Sequence, residues 1–130
     1  MKEKKSLLKR EEGFTLIEII AILIILGILA AVAVPRYIDL TANAELRALD
    51  AGVSELNGRE SLTWANIKIS TAGWVDDATT FAALSTDLGA DYTWSVAPTV
   101  AGGTLGFGSQ TVALTRTAST TTSPARWAGP

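Results

Sequence analysis

From Ile19 to Val34 the chain reads IIAILIILGILAAVAV without one charged side chain, and this run limits what the rest can become. Extended back to Phe14 it covers about 21 residues, and a helix rising about 1.5 Å per residue would be about 31 Å long, the thickness of a bilayer's hydrocarbon layer. A helix apolar on every face needs a large protein around it to be buried, and the residues after Pro35 are too few to supply one. A secretory signal peptide has a similar outline, with Ala30, Ala31 and Ala33 imitating its small-residue cleavage site. Its apolar core, however, usually runs only about 7 to 15 residues, whereas this one is longer and holds an acid, Glu18. A membrane-spanning helix is therefore expected. Five bases precede it (Lys2, Lys4, Lys5, Lys9 and Arg10) and only Arg36 follows closely, so the amino end should stay cytoplasmic and the remainder be exported.

Charge and composition exclude other classes. The net charge is −2 and five of the eleven bases lie in residues 1–13, so the residues beyond are acidic on balance and no nucleic-acid binding is expected. The chain has no histidine and no cysteine. It lacks the usual general base near neutral pH, the usual nucleophile–base pairs and any disulfide. No enzymatic activity is expected.

An ionised carboxylate at the centre of a bilayer helix costs roughly 2 to 3 kcal/mol, so Glu18, one turn inside the apolar segment, calls for either escape to the interface or a partner. The stretch KREEGFTLIEIIAILIILGILAAVAVPRY, residues 9–37, resembles the class III signal and amino-terminal helix of type IV pilins and type II secretion pseudopilins. The resemblance implies that a prepilin peptidase cuts after Gly13 and methylates the new amino terminus at Phe14. It also implies that Glu18, the fifth mature residue, meets the amino terminus of a neighbouring subunit during assembly. Gly27 and Pro35 match the positions between which some pilin helices lose their helical structure. Both weaken a helix, glycine through backbone entropy and proline through a lost hydrogen bond, although membrane helices commonly tolerate them.

The implied fold is α+β: a long amino-terminal helix, membrane-spanning in its first half, packed on a small antiparallel sheet. The expected divisions are a cleaved leader at 1–13, a membrane or filament-core helix at 14–35, an amphipathic continuation at 36–60 and a sheet-bearing head at 61–130. In the continuation, Ala42, Leu46, Leu49, Val53 and Leu56 recur at helical spacing, Glu55 and Arg59 form an i,i+4 pair, and Asn57-Gly58 is the expected stop or kink. A short helical turn is expected over 81–88, and strands around Tyr92 to Val96, Leu105 to Phe107 and Thr111 to Arg116. Residues 98–103 read as a turn and 117–130 as loop. Trp64, Trp74, Trp94 and Trp127 serve either as a sugar-binding surface or, more commonly in small domains, as packing anchors. No cofactor is expected; Asp76, Asp77, Asp87 and Asp91 are the candidate calcium ligands, without EF-hand spacing.

The resemblance implies a structural subunit of a type IV pilus-like filament, held singly in the inner membrane and then polymerised at the cell surface. Its implied partners are further copies of itself, the prepilin peptidase, an assembly ATPase and a platform membrane protein. A pseudopilin of a periplasmic pseudopilus is the alternative within the family, and a membrane-tethered ligand-binding module the alternative outside it.

Overall fold

The computed structural model describes residues 13–130. The chain falls into two compact units, one ending at Asp39 and the other Leu40–Pro130. Its elements are α1 Leu16–Ile69, α2 Asp77–Ala83, β1 Tyr92–Thr99, β2 Gly102–Phe107, β3 Gln110–Thr117 and β4 Arg126–Ala128. The α+β architecture is as expected: in the second unit, residues 40–69 of α1 pack on a four-stranded antiparallel sheet in the order β1-β2-β3-β4.

In the first unit, α1 begins at Leu16 and continues helically through Gly27 and Pro35. Its side chains are exposed on every face, from Leu16 at 80% to Val34 at 55%. Apolar residues in all directions are what a helix surrounded by lipid or by other apolar helices presents.

In the second unit the buried stripe of α1 is Leu49, Gly52, Leu56 and Glu60. Leu49 and Leu56 meet the expectation, whereas Leu46 stays exposed and Val53 only half-buried. The buried face shifts onto Gly52 because Tyr92 lies against it: a methyl group at Gly52 would sit 2.7 Å from the Tyr92 ring. The Tyr92 hydroxyl then donates to the Ala48 carbonyl at 2.7 Å.

Asn57-Gly58 does not stop the helix, which runs on to Ile69. Asn57 directs its amide outward to the sheet, with Nδ2 donating to the Trp127 carbonyl (3.0 Å) and Oδ1 accepting from the Trp127 N–H (2.7 Å). With that side chain committed to β4 it offers no cap. The chain turns instead at Gly73, whose φ of 65° is easily reached by glycine. The second helix also starts and ends earlier than the expected 81–88. Asp76 caps it by accepting from the Thr79 N–H at 2.7 Å, and beyond Ala83 the backbone becomes extended, carrying Leu84 into the core.

The strands are longer than the alternation suggested, so the expected 98–103 turn contracts to Val100-Ala101. Pro98 is accommodated because β1 is an edge strand. The tail expected as loop contains β4, and its Trp127 is 1% exposed. Trp127 packs with Leu49, Leu56, Leu84, Leu105 and Leu114, so the supposed loop supplies the bulkiest side chain of the core. The other tryptophans are half-buried anchors: Trp64 Nε1 donates to the Thr120 carbonyl, Trp74 Nε1 to Ser119 Oγ and Trp94 Nε1 to the Thr86 carbonyl.

Candidate functional site: the amino-terminal segment and a buried clasp

Thr15 and Glu18 stand three residues apart at the start of α1. Glu18 Oε2 accepts from the Thr15 N–H at 2.8 Å, and Thr15 Oγ1 accepts from the Glu18 N–H at 3.3 Å. This reciprocal arrangement is a capping box, which satisfies backbone donors that the first helical turn cannot. The carboxylate also sits where the helix dipole favours negative charge. Glu18 thus has a task within its own chain, legible as T-x-x-E, beyond the escape to the interface or the partner in another subunit that its charge alone suggested. Gly13 and Phe14 precede the box in non-helical backbone, and Gly13 has open space around its α-carbon. Gly27 is similarly open, and Pro35 lies inside the helix.

The helix is long and apolar enough to cross a membrane, and none of its most apolar window is buried. Residues 8–34 match the family described as the prokaryotic N-terminal methylation motif. The amino-terminal segment is similar to that of type IV pilins. The chain is 39% identical over 59 residues to a type IV narrow pilus major component of Thermus thermophilus, covering 45% of this chain and 51% of that protein. It is 45% identical over 49 residues to a fimbrial protein of Pseudomonas aeruginosa, covering 38% and 32%. It is 56% identical over 36 residues to a type IV major pilin of Neisseria gonorrhoeae, covering 28% and 22%. The pilin-like chain therefore spans about half the length of the first relative and less of the others. No solved structure matches it.

In the second unit of this pilin-like chain, charge is concentrated in a buried cluster. Arg116 Nε donates to Glu60 Oε1 at 2.5 Å and Nη2 to Glu60 Oε2 at 3.3 Å, while Nη1 and Nη2 reach Asp77 at 2.7 and 3.0 Å. The Arg116 and Glu60 side chains are wholly excluded from solvent. Trp127 Nε1 donates to Glu60 Oε1 at 2.9 Å, and Ser119 donates to Asp77 through both N–H and Oγ. One guanidinium thereby ties α1, α2 and β3 together, and no buried polar side-chain atom among the described residues lacks a partner. Burial pushes the Asp77 carboxyl up, but hydrogen bonds from Arg116 and Ser119 outweigh it and hold it below its ordinary value. Burial likewise opposes the Arg116 charge, and bonds to Glu60 and Asp77 overcome that opposition and raise its pKa. The sequence signals were Glu60 four residues after Leu56, and Arg116 two residues after Leu114 on the inward side of β3.

The four aspartates named for calcium are not assembled into a site. Hydrogen bonding from Thr79 lowers the Asp76 pKa, Asp77 serves Arg116, and Asp87 Oδ1 accepts from the Gly89 N–H. No group of three acidic side chains able to hold a metal occurs among the described residues. Arg59 does more than pair with Glu55 at 2.8 Å: it also donates to the Ser85 and Asp87 carbonyls and so fastens the segment between α2 and β1.

Proposed function

We propose that this chain is a structural subunit of a type IV pilus-like filament and not an enzyme. Its amino-terminal helix anchors it singly in the inner membrane until it polymerises with other copies at the cell surface. The observation that carries this reading is a pilin-type amino terminus on a helix apolar and exposed on all faces. Glycine before Phe14 leaves a protease cleft unobstructed, so cutting after Gly13 by a prepilin peptidase removes the basic leader and leaves the apolar helix on the exported unit. Methylation then falls on Phe14. Insertion and extraction from the membrane require an assembly ATPase and a platform membrane protein, since nothing in the chain's own chemistry supplies that work. Burial of many such helices in one filament core desolvates Glu18, and a carboxylate in that setting gains from the amino terminus of a neighbour.

Intact-mass measurement of filaments sheared from cells tests the reading. The expected species begins at methylated Phe14; one beginning at Met1, or after Ala33, overturns it. Substitutions at Glu18 separate its two tasks. Glu18→Gln preserves a capping side chain but removes the charge, whereas Glu18→Ala removes both. Normal cleavage with loss of filaments in both variants is expected; filaments formed normally by Glu18→Gln would reduce the residue to a cap.

A further inference from the structure

Within Leu40–Pro130, almost every charged side chain is satisfied inside the chain. Glu45 accepts from Ser109, Asp50 pairs with Arg47, Glu55 with Arg59, and Glu60 and Asp77 with Arg116. Asp76 and Asp87 accept backbone N–H groups, and Lys68 donates to the Thr121 carbonyl. This leaves one anion, Asp91, and one cation, Arg126, with no hydrogen bond or ion pair among the described residues, and both are exposed.

They occupy opposite corners of the sheet. Asp91 immediately precedes β1 at one edge, and Arg126 opens β4 at the other. Following the register, β1 starts beside the end of β2 that pairs with Gln110, while Arg126 pairs with Thr117 at the far end of β3. Three strand spacings of about 4.8 Å and seven residues of about 3.3 Å separate the corners by roughly 27 Å, far beyond the reach of an intrachain ion pair. The surroundings also differ. Asp91 follows Asp87 in the turn Asp87-Leu88-Gly89-Ala90-Asp91, in which Leu88 packs against the core and Arg59 donates to the Asp87 carbonyl, while the Asp91 side chain stays exposed. Among the described residues, Arg126 is the one charged side chain lining an open, mainly apolar groove of about 660 Å³ formed with Thr117, Ala118, Pro124 and Ala125.

We propose that the Arg126 groove of one subunit receives the Asp87–Asp91 turn of a second copy. The contact is heterologous, with different surfaces on the two partners, and such a contact propagates into a helical array when it does not close into a ring. Complementary charge fixes which edge meets which and disfavours like-edge pairing. The inference rests on the filament reading and assigns a lateral contact in the exported unit, separate from the helices.

The absence of native cysteine gives a clean test in the full chain. Filaments carrying both Asp91→Cys and Arg126→Cys are treated with a short bis-maleimide and separated under denaturing conditions. A ladder extending to trimers and beyond is expected from the double variant and not from either single one. Dimers alone would indicate a two-fold contact and overturn the proposal, as would intact filaments yielding only monomers. Failure of the unsubstituted chain to form filaments would instead remove the filament reading itself, and this contact with it. Charge exchange provides the second arm: Arg126→Asp should reduce filament yield about fivefold, the scale of a lost exposed ion pair with added repulsion, and adding Asp91→Arg should restore it. Equal loss in the exchanged double variant refutes the pairing.

Discussion

Replacing Arg116 by methionine keeps a long, flexible side chain but removes the guanidinium that neutralises two carboxylates. Glu60, with no solvent exposure, would keep only the Trp127 Nε1 bond of 2.9 Å and lose both bonds to Arg116. Asp77 would keep its Ser119 partners and is better placed to recover water. The damage therefore centres on one buried, uncompensated charge, and breaking such a pair typically costs about 3 to 5 kcal/mol. For a domain of this size that corresponds to a fall in Tm of well over 10 °C. Denaturant unfolding of the detergent-solubilised full chain, followed by tryptophan fluorescence, measures the loss. The pattern across variants is more telling than one value. Adding Glu60→Gln to Arg116→Met removes the orphan charge and should recover at least about 1 kcal/mol, because the residual defect becomes that of neutral polar groups. An Arg116→Met chain within 1 kcal/mol of the unsubstituted protein, or a double variant no better than the single one, would refute this account of the clasp.

Asn57→Ala should destabilise the second unit by about 2 to 3 kcal/mol, since both backbone groups of Trp127 lose their amide partner; equilibrium unfolding checks this. Gly102→Ala should be worse tolerated than Gly58→Ala. At φ 140° a methyl group would lie 2.1 Å from the Leu114 carbonyl oxygen, whereas Gly58 faces open space inside a helix, where alanine should stabilise by up to about 1 kcal/mol. Thermal melts of the two variants should move in opposite directions. The depressed Asp77 pKa predicts an acid limb. Because the folded carboxyl binds its proton less readily than the unfolded one, its contribution is complete above the ordinary aspartate pKa and fades as pH falls through the lower folded value. Asp77→Asn should flatten that limb in an unfolding series taken below about pH 4.

The amino-terminal segment was the most legible part, because a charge-free run has few physical uses and needs no knowledge of distant residues. Leu49 and Leu56 were also legible from helical spacing. What escaped depends on contacts between residues far apart in sequence. Asn57-Gly58 has the local chemistry of a helix end, yet Trp127, 70 positions away, employs the asparagine and lets the helix continue. A three-residue strand leaves little periodicity to read, so β4 was hidden among small polar residues. Glu60 and Arg116 lay on the correct inward faces, but their charges argued for solvent until each had the other as partner. The local T-x-x-E signal at Thr15 and Glu18 was available and was obscured by attention to the acid alone.

The position of Trp127 also bears on how the second unit acquires its fold. Its ring completes the core, and its backbone closes on Asn57 across most of the unit's length. Contacts of such long range are costly to form early, so β1 to β3 and the helix cannot finish the core by themselves. A chain still emerging, or clipped within the 118–125 segment, would expose a leucine-lined cavity where the indole belongs. Completion of the fold is thus tied to arrival of β4, giving the second unit a built-in check that this strand is present before a compact surface is offered to any neighbour.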